Sequence, residues 1–124
     1  MNLLLDTHVL LWWLADSPRL SRSGRTAIAA SDLTYVSAAS AWEIEIKKSL
    51  GKLFAPDDLE ATLSAYHLRP LPVTVAHAIA AGRLPRHHGD PFDRMLIAQA
   101  KLESLTLVTR DGRLKDYGIR VLQV

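Results

Sequence analysis

The acids of this sequence stand where chemistry could use them. Asp6 directly follows the apolar run Asn2 to Leu5. Asp111 follows the run Leu105 to Thr109 after one residue. Glu43 opens a helix-periodic stretch behind the β-branched run Leu33 to Val36, and Asp90 and Asp93 open another. In an open parallel sheet the working groups lie beyond the carboxyl ends of the strands, so acids from four segments are expected to converge on one sheet edge. Two carboxylates ~5 Å apart repel by roughly 3 kcal/mol at an effective dielectric of ~20, so a gathering of three or four raises pKa values or recruits a cation. Oxygen ligands in a chain without cysteine favour Mg²⁺, with Mn²⁺ as an alternative, over zinc. Such an ion can bind a phosphate oxygen, acidify a water and stabilise the leaving oxygen of a phosphodiester. Arg86, His87, His88, Arg94, Arg110 and Arg113 cluster in sequence around the later acids and suit the phosphates on either side of the scissile one.

Each acid also has a plain structural reading. Asp6 can cap a helix beginning near Thr7, and Asp90 can cap one with Pro91 at its first position and Asp93 at its third. Ser40 to Glu43 fits a capping box, Glu43 can pair with Lys47 one turn on, and Asp111-Gly112 has the composition of a turn. These readings account for the acids one at a time and leave their convergence unexplained. His87 and His88, being adjacent, point to opposite sides of an extended segment and make a poor chelating pair; an exposed loop and a substrate contact remain open for them. His8 reads as a packed or surface histidine.

The elements that must position these groups follow from patterning. Strands are expected at Asn2 to Leu5, Leu33 to Val36, Leu68 to Leu71, Leu105 to Thr109 and Ile119 to Leu122, the third weakened to an edge by Pro70 and Pro72. Helices are expected at Val9 to Ala15, from the cap Ser21 to Ala30, at Ser40 to Leu50 with Gly51 as its stop, from Pro56 to Tyr66, at Thr74 to Ala81 closed by Gly82, from Asp90 through Leu102, and briefly at Arg113 to Tyr117. Ser37 is expected to open a loop, and Arg83 to Gly89 to be irregular. Trp42 is expected in the core. Trp12 and Trp13 cannot both face one core from one helix, which leaves one for a partner. Strands alternating with helices imply an α/β fold with a mostly parallel sheet covered on both faces. The length, 124 residues with 48% apolar and 23% charged, suits a single domain over 1–124, and the net charge of +2 names no partner by itself. Without cysteine, and without a stretch suited to a membrane span or signal peptide, the chain reads as cytoplasmic.

Four blocks, LLLDTHVLLWWL, SAASAWEIEIKKSLGKL, HHGDPFDRMLIAQA and LVTRDGRLKDYGIRVL, resemble in order and spacing the PIN-domain proteins of the VapC toxin type, across nearly the whole chain. The resemblance implies a three-layer α/β/α sandwich, a Mg²⁺ or Mn²⁺ site and endoribonuclease activity restrained by a cognate VapB-type antitoxin. Carried over by position, Asp6 matches the first acid, Glu43 the second and Asp93 the third, with Asp90 its close competitor; Asp111 matches the fourth, which is Asn in many relatives. Thr7 and Thr109 match small hydroxyl residues beside the site, and Ser37 and Ser40 are weaker candidates of that kind. On this basis Asp6 and Asp93 anchor the metal, Glu43 and Asp111 act through water or a second ion, and cleavage leaves a 5′-phosphate and a 3′-hydroxyl. The antitoxin is expected to insert a basic side chain among the acids, carried beside an apolar helix, and the toxin to form a homodimer. A receiver domain would need paired acids after the first strand and a lysine after a later one, and a haloacid-dehalogenase-type phosphatase would need D-x-D; Asp6-Thr7-His8 and Arg110 fit neither. The rival is a catalytically silent PIN-like module that binds RNA or protein, marked by loss of acids that this chain retains.

Overall fold

A computed structural model describes residues 1–87 and 89–124. His88 lies outside the described residues. Five parallel strands form one sheet: β1 (Asn2–Leu5), β2 (Leu33–Ser37), β3 (Arg69–Leu71), β4 (Thr106–Thr109) and β5 (Val121–Gln123), in spatial order β3-β2-β1-β4-β5. Leu3, Leu4 and Leu5 are fully buried, as expected for a central strand covered on both faces. Leu3 and Leu5 join Val9, Leu10, Leu20, Ile28, Ile44 and Val108 on one side, whereas Leu4 joins Leu96, Ile97, Leu107 and Leu114 on the other. The alternation of one strand thus supplies two cores and makes the three layers.

The helices are α1 (Thr7–Leu14), α2 (Arg22–Ala30), α3 (Ala38–Ser49), α4 (Leu59–Ala65), α5 (Val75–Arg83) and α6 (Pro91–Leu102), with a 3₁₀ helix at Gly112–Tyr117. Most start on an expected cap: Ser21 accepts from Gly24 N–H, and Asp90 from the N–H groups of Phe92 and Asp93. The α5–α6 pair is pinned by buried His77, whose Nδ1 accepts the Thr74 N–H at 3.0 Å while Nε2 lies 3.3 Å from Glu103 Oε1. None of the helices described is long and apolar enough to cross a membrane.

Several local expectations are corrected. Ser37 opens no loop: it ends β2 and caps α3 directly by accepting from Ala39 N–H. Ser40 therefore lies inside α3, and the Ser40–Glu43 capping box does not form. Gly82 lies within α5, which continues to Arg83 and is stopped at Leu84. The helix expected from Pro56 begins at Leu59, capped by Asp58. Trp42 is 65% exposed and meets Phe92 edge-on at 5.5 Å, because the buried face of α3 is Ala39, Ser40, Glu43 and Ile44. Trp12 and Trp13 are both half-buried and both pack against the core beneath α1, so neither is surrendered to solvent.

Candidate active site at the carboxyl edge of the sheet

Beneath its carboxyl edge the sheet is apolar, and at the edge the chemistry changes in register. Leu5 pairs with Val36 on one side and Val108 on the other. The next residues, Asp6, Ser37 and Thr109, consequently stand abreast, all buried. Chain order reverses about β1, with β2 on one side and β4 on the other, and such a switch point opens a crevice above the sheet. Asp6 lies in it.

Asp6 does cap α1, accepting Val9 N–H at 2.8 Å, but capping does not satisfy its charge. It is 8% exposed, and no Lys or Arg pairs with it among the described residues. Burial pushes its carboxyl above the ordinary range, and the negative charge of Asp93 pushes the same way. The hydroxyl of Thr109, the Val9 amide and nearby His8 oppose the rise without cancelling it. Asp93 reaches this position from the first turn of α6, whereas exposed Asp90 spends Oδ1 on the helix amides.

The other two acids are differently engaged. The Thr7 hydroxyl donates to Glu43 Oε1 at 2.6 Å, with Ser40 Oγ 3.0 Å from the same hydroxyl, and Lys47 Nζ donates to Glu43 Oε2 at 2.6 Å. Asp111 is gripped on both oxygens by Arg113, at 2.9 and 2.8 Å, and its amide donates to Thr109 Oγ1 at 3.1 Å. That grip holds the Arg113 guanidinium above its usual pKa, chiefly through the hydrogen bond. Among the described residues no three acidic or histidine side chains approach closely enough to form a metal cage. The expected gathering of three or four carboxylates narrows to Asp6 coupled to Asp93, flanked by two acids that have cations of their own.

The basic cluster also separates. Arg94 donates to the carbonyls of Ala81, Leu84 and Pro85, tying down the loop after α5. His87 stacks edge-on against Tyr117 at 5.2 Å, Arg86 is exposed, and the Arg110 guanidinium lies over the Trp12 ring. This last contact escaped the sequence analysis. The i, i+4 spacing of His8 and Trp12 behind Asp6 was the available signal for half of it.

A broad groove lies beside the acids rather than on them. It has about 660 Å³ and an apolar floor of Val36, Ala38, Ala41, Leu59, Leu63 and Pro70, with Glu45, Asp57, Asp58 and Glu60 also lining it.

Comparison with known proteins agrees with this architecture. The chain is 34% identical to Ribonuclease VapC22 of Mycobacterium tuberculosis over 119 residues, covering 94% of this chain and 92% of that protein. VapBC2 of Rickettsia felis, solved bound to a DNA fragment from its promoter, contains a chain that superposes with a TM-score of 0.72 at 15% identity, over 99% of this chain and 98% of that one. FitAcB of Neisseria gonorrhoeae contributes a chain with a TM-score of 0.69 at 21% identity, over 98% and 96%. At such identities these structures bear on the fold alone. A switch-point acid on a parallel sheet flanked by helices, with the PIN domain family model matching residues 3–119, leads to one assignment: the chain belongs to the PIN domain family.

Proposed function

We propose that this chain is a divalent-metal-dependent endoribonuclease of the toxin type, neutralised by a cognate antitoxin. The observation that carries the reading is Asp6: buried, paired with no Lys or Arg among the described residues, and facing the charge of Asp93 at the switch point of the sheet. The ribonuclease name of the mycobacterial relative supports the substrate class. Asp6 and Asp93 offer hard oxygen donors whose mutual repulsion a divalent cation removes, so the donor chemistry fits Mg²⁺ or Mn²⁺. Lewis acidity toward a phosphodiester, and acidification of water, would come from that ion when bound.

The chain's own residues supply the rest. The Val9 amide holds the Asp6 carboxylate, so its approach to a ligand is set before the ligand arrives. Thr7, next in sequence to Asp6, ties the position of Glu43 to that of the first acid. Glu43 and Asp111, already holding Lys47 and Arg113, act at one remove from the cation. In the test, Asp6→Asn and Asp93→Asn are assayed on RNA with Mg²⁺, Mn²⁺ or EDTA, and the RNA ends are sequenced. Loss of cleavage in both variants and in EDTA is expected, with 5′-phosphate products. Undiminished activity in either variant would overturn the assignment.

An antitoxin of the expected character fits the groove beside α3: an apolar floor with four acids among its lining residues complements an apolar helix bearing Arg or Lys. Homodimer formation is expected at exposed Trp42, which packs on half-buried Phe92, and Trp42→Ala should then sediment as a lighter species than the parent chain.

A further inference from the structure

Three side chains at the acid edge form a structure of their own. His8 and Trp12 lie one turn apart on α1, with ring centroids 6.1 Å apart and planes tilted by 32°. Arg110, the residue after β4, has its guanidinium carbon 5.2 Å from the Trp12 ring centroid. His8 and Arg110 are exposed, while half-buried Trp12 is seated on the core. The ledge is anchored to the site at both ends. Asp6 caps α1, the helix that carries His8 and Trp12, and Thr109, which stands beside Asp6 at the sheet edge, immediately precedes Arg110.

The acid beside Arg110 in sequence already has a cation. Asp111 is held on both oxygens by Arg113, and the Arg110 guanidinium rests on the indole instead. A guanidinium placed over an aromatic face keeps its charge and leaves its outer side for another planar group. Flat, cationic and aromatic surfaces of this kind are what splayed nucleobases stack on.

We propose that Arg110, Trp12 and His8 form a stacking ledge for one unpaired nucleobase of the RNA, adjacent to the phosphate presented to Asp6 and Asp93. The proposal rests on the ribonuclease reading and narrows its substrate to RNA that is single-stranded at that nucleotide, because a base inside a duplex has no free face to offer. It also makes Arg110 a reader of base planes rather than a phosphate clamp.

Short oligoribonucleotides carrying 2-aminopurine at one position each test this with the full chain in EDTA, since fluorescence quenching reports stacking without cleavage. Quenching confined to one or two neighbouring positions is expected. Arg110→Lys, which keeps the charge and loses the plane, and Trp12→Leu should both abolish it and weaken binding roughly ten-fold. Wild-type quenching and affinity in Arg110→Lys would make Arg110 a phosphate contact and overturn the ledge, as would the absence of position-specific quenching in the parent chain. Should circular dichroism find Trp12→Leu misfolded, Arg110→Lys and His8→Ala, both at exposed residues, carry the test. Quenching without cleavage on adding Mg²⁺ or Mn²⁺ would strike the nuclease reading and leave the ledge; cleavage without quenching would do the reverse.

Discussion

Asp6 and Glu43 are buried to nearly the same extent, 8% and 5% exposed, and the bond from Thr7 to Glu43 links their positions. Their surroundings differ. Glu43 has a lysine on one oxygen and a hydroxyl on the other, whereas Asp6 has a hydroxyl, an amide and the opposing charge of Asp93. Burial alone therefore does not mark the working acid. A buried carboxylate whose counter-charge the fold supplies is part of the architecture, and one whose counter-charge is left to a ligand is where a ligand belongs.

The largest expected effect is on cleavage. Asp6→Asn should lower ribonuclease activity beyond the roughly 10–100-fold that loss of an outer partner costs, and Glu43→Gln should stay within that range; equal losses in a single-turnover assay would erase the distinction. Stability should separate the two acids in the opposite sense. In EDTA, Lys47→Ala strands the Glu43 carboxylate and should lower Tm by roughly 3–6 °C, about 1–2 kcal/mol. Asp6→Asn keeps the cap, removes an opposed charge, and should raise Tm by roughly 2–4 °C in the same calorimeter.

The pH dependence sharpens the contrast further. Because the folded Asp6 carboxyl titrates above its ordinary value, the folded chain retains a proton that the unfolded chain has lost. Wild-type stability attributable to this group therefore rises as pH falls through the raised value. The advantage of Asp6→Asn in EDTA should be full above the raised value and shrink toward zero near the unfolded value of 3.8; an advantage that grows with acid would contradict the origin given for it. The smallest expected effect is at Trp42, next to Glu43 in sequence but on the outer face of α3. Trp42→Ala should change the stability of the monomer by no more than about 0.5 kcal/mol.

The same contrast explains what the sequence could reveal. Strands β1, β2 and β4 were legible because their apolar runs end abruptly in polar residues at the edge. The face of α3 was misread because Trp42, Ile46 and Leu50 repeat at helical spacing, yet the side turned inward is small and polar where it meets the site. Periodicity reports apolar burial and is silent about a helix that buries a carboxylate. Asp6 was legible from its position after β1. Its lack of a cationic partner was not, since that depends on which cation each of the other acids takes. The Trp12–Arg110 contact joins two segments at opposite ends of the sequence, and no local pattern encodes it.

The pairing of β1 with β4 has a consequence for biosynthesis. Leu3 aligns with Thr106, so the central strand waits for most of the domain to be translated before its second neighbour exists. Contacts so distant along the chain form late in folding. Thr109 and Asp93, which complete the surroundings of Asp6, arrive with that late half of the chain. A nascent fragment on the ribosome would carry the first acid without the rest of its site, and on the reading proposed above that site would be completed only once β4 had been made.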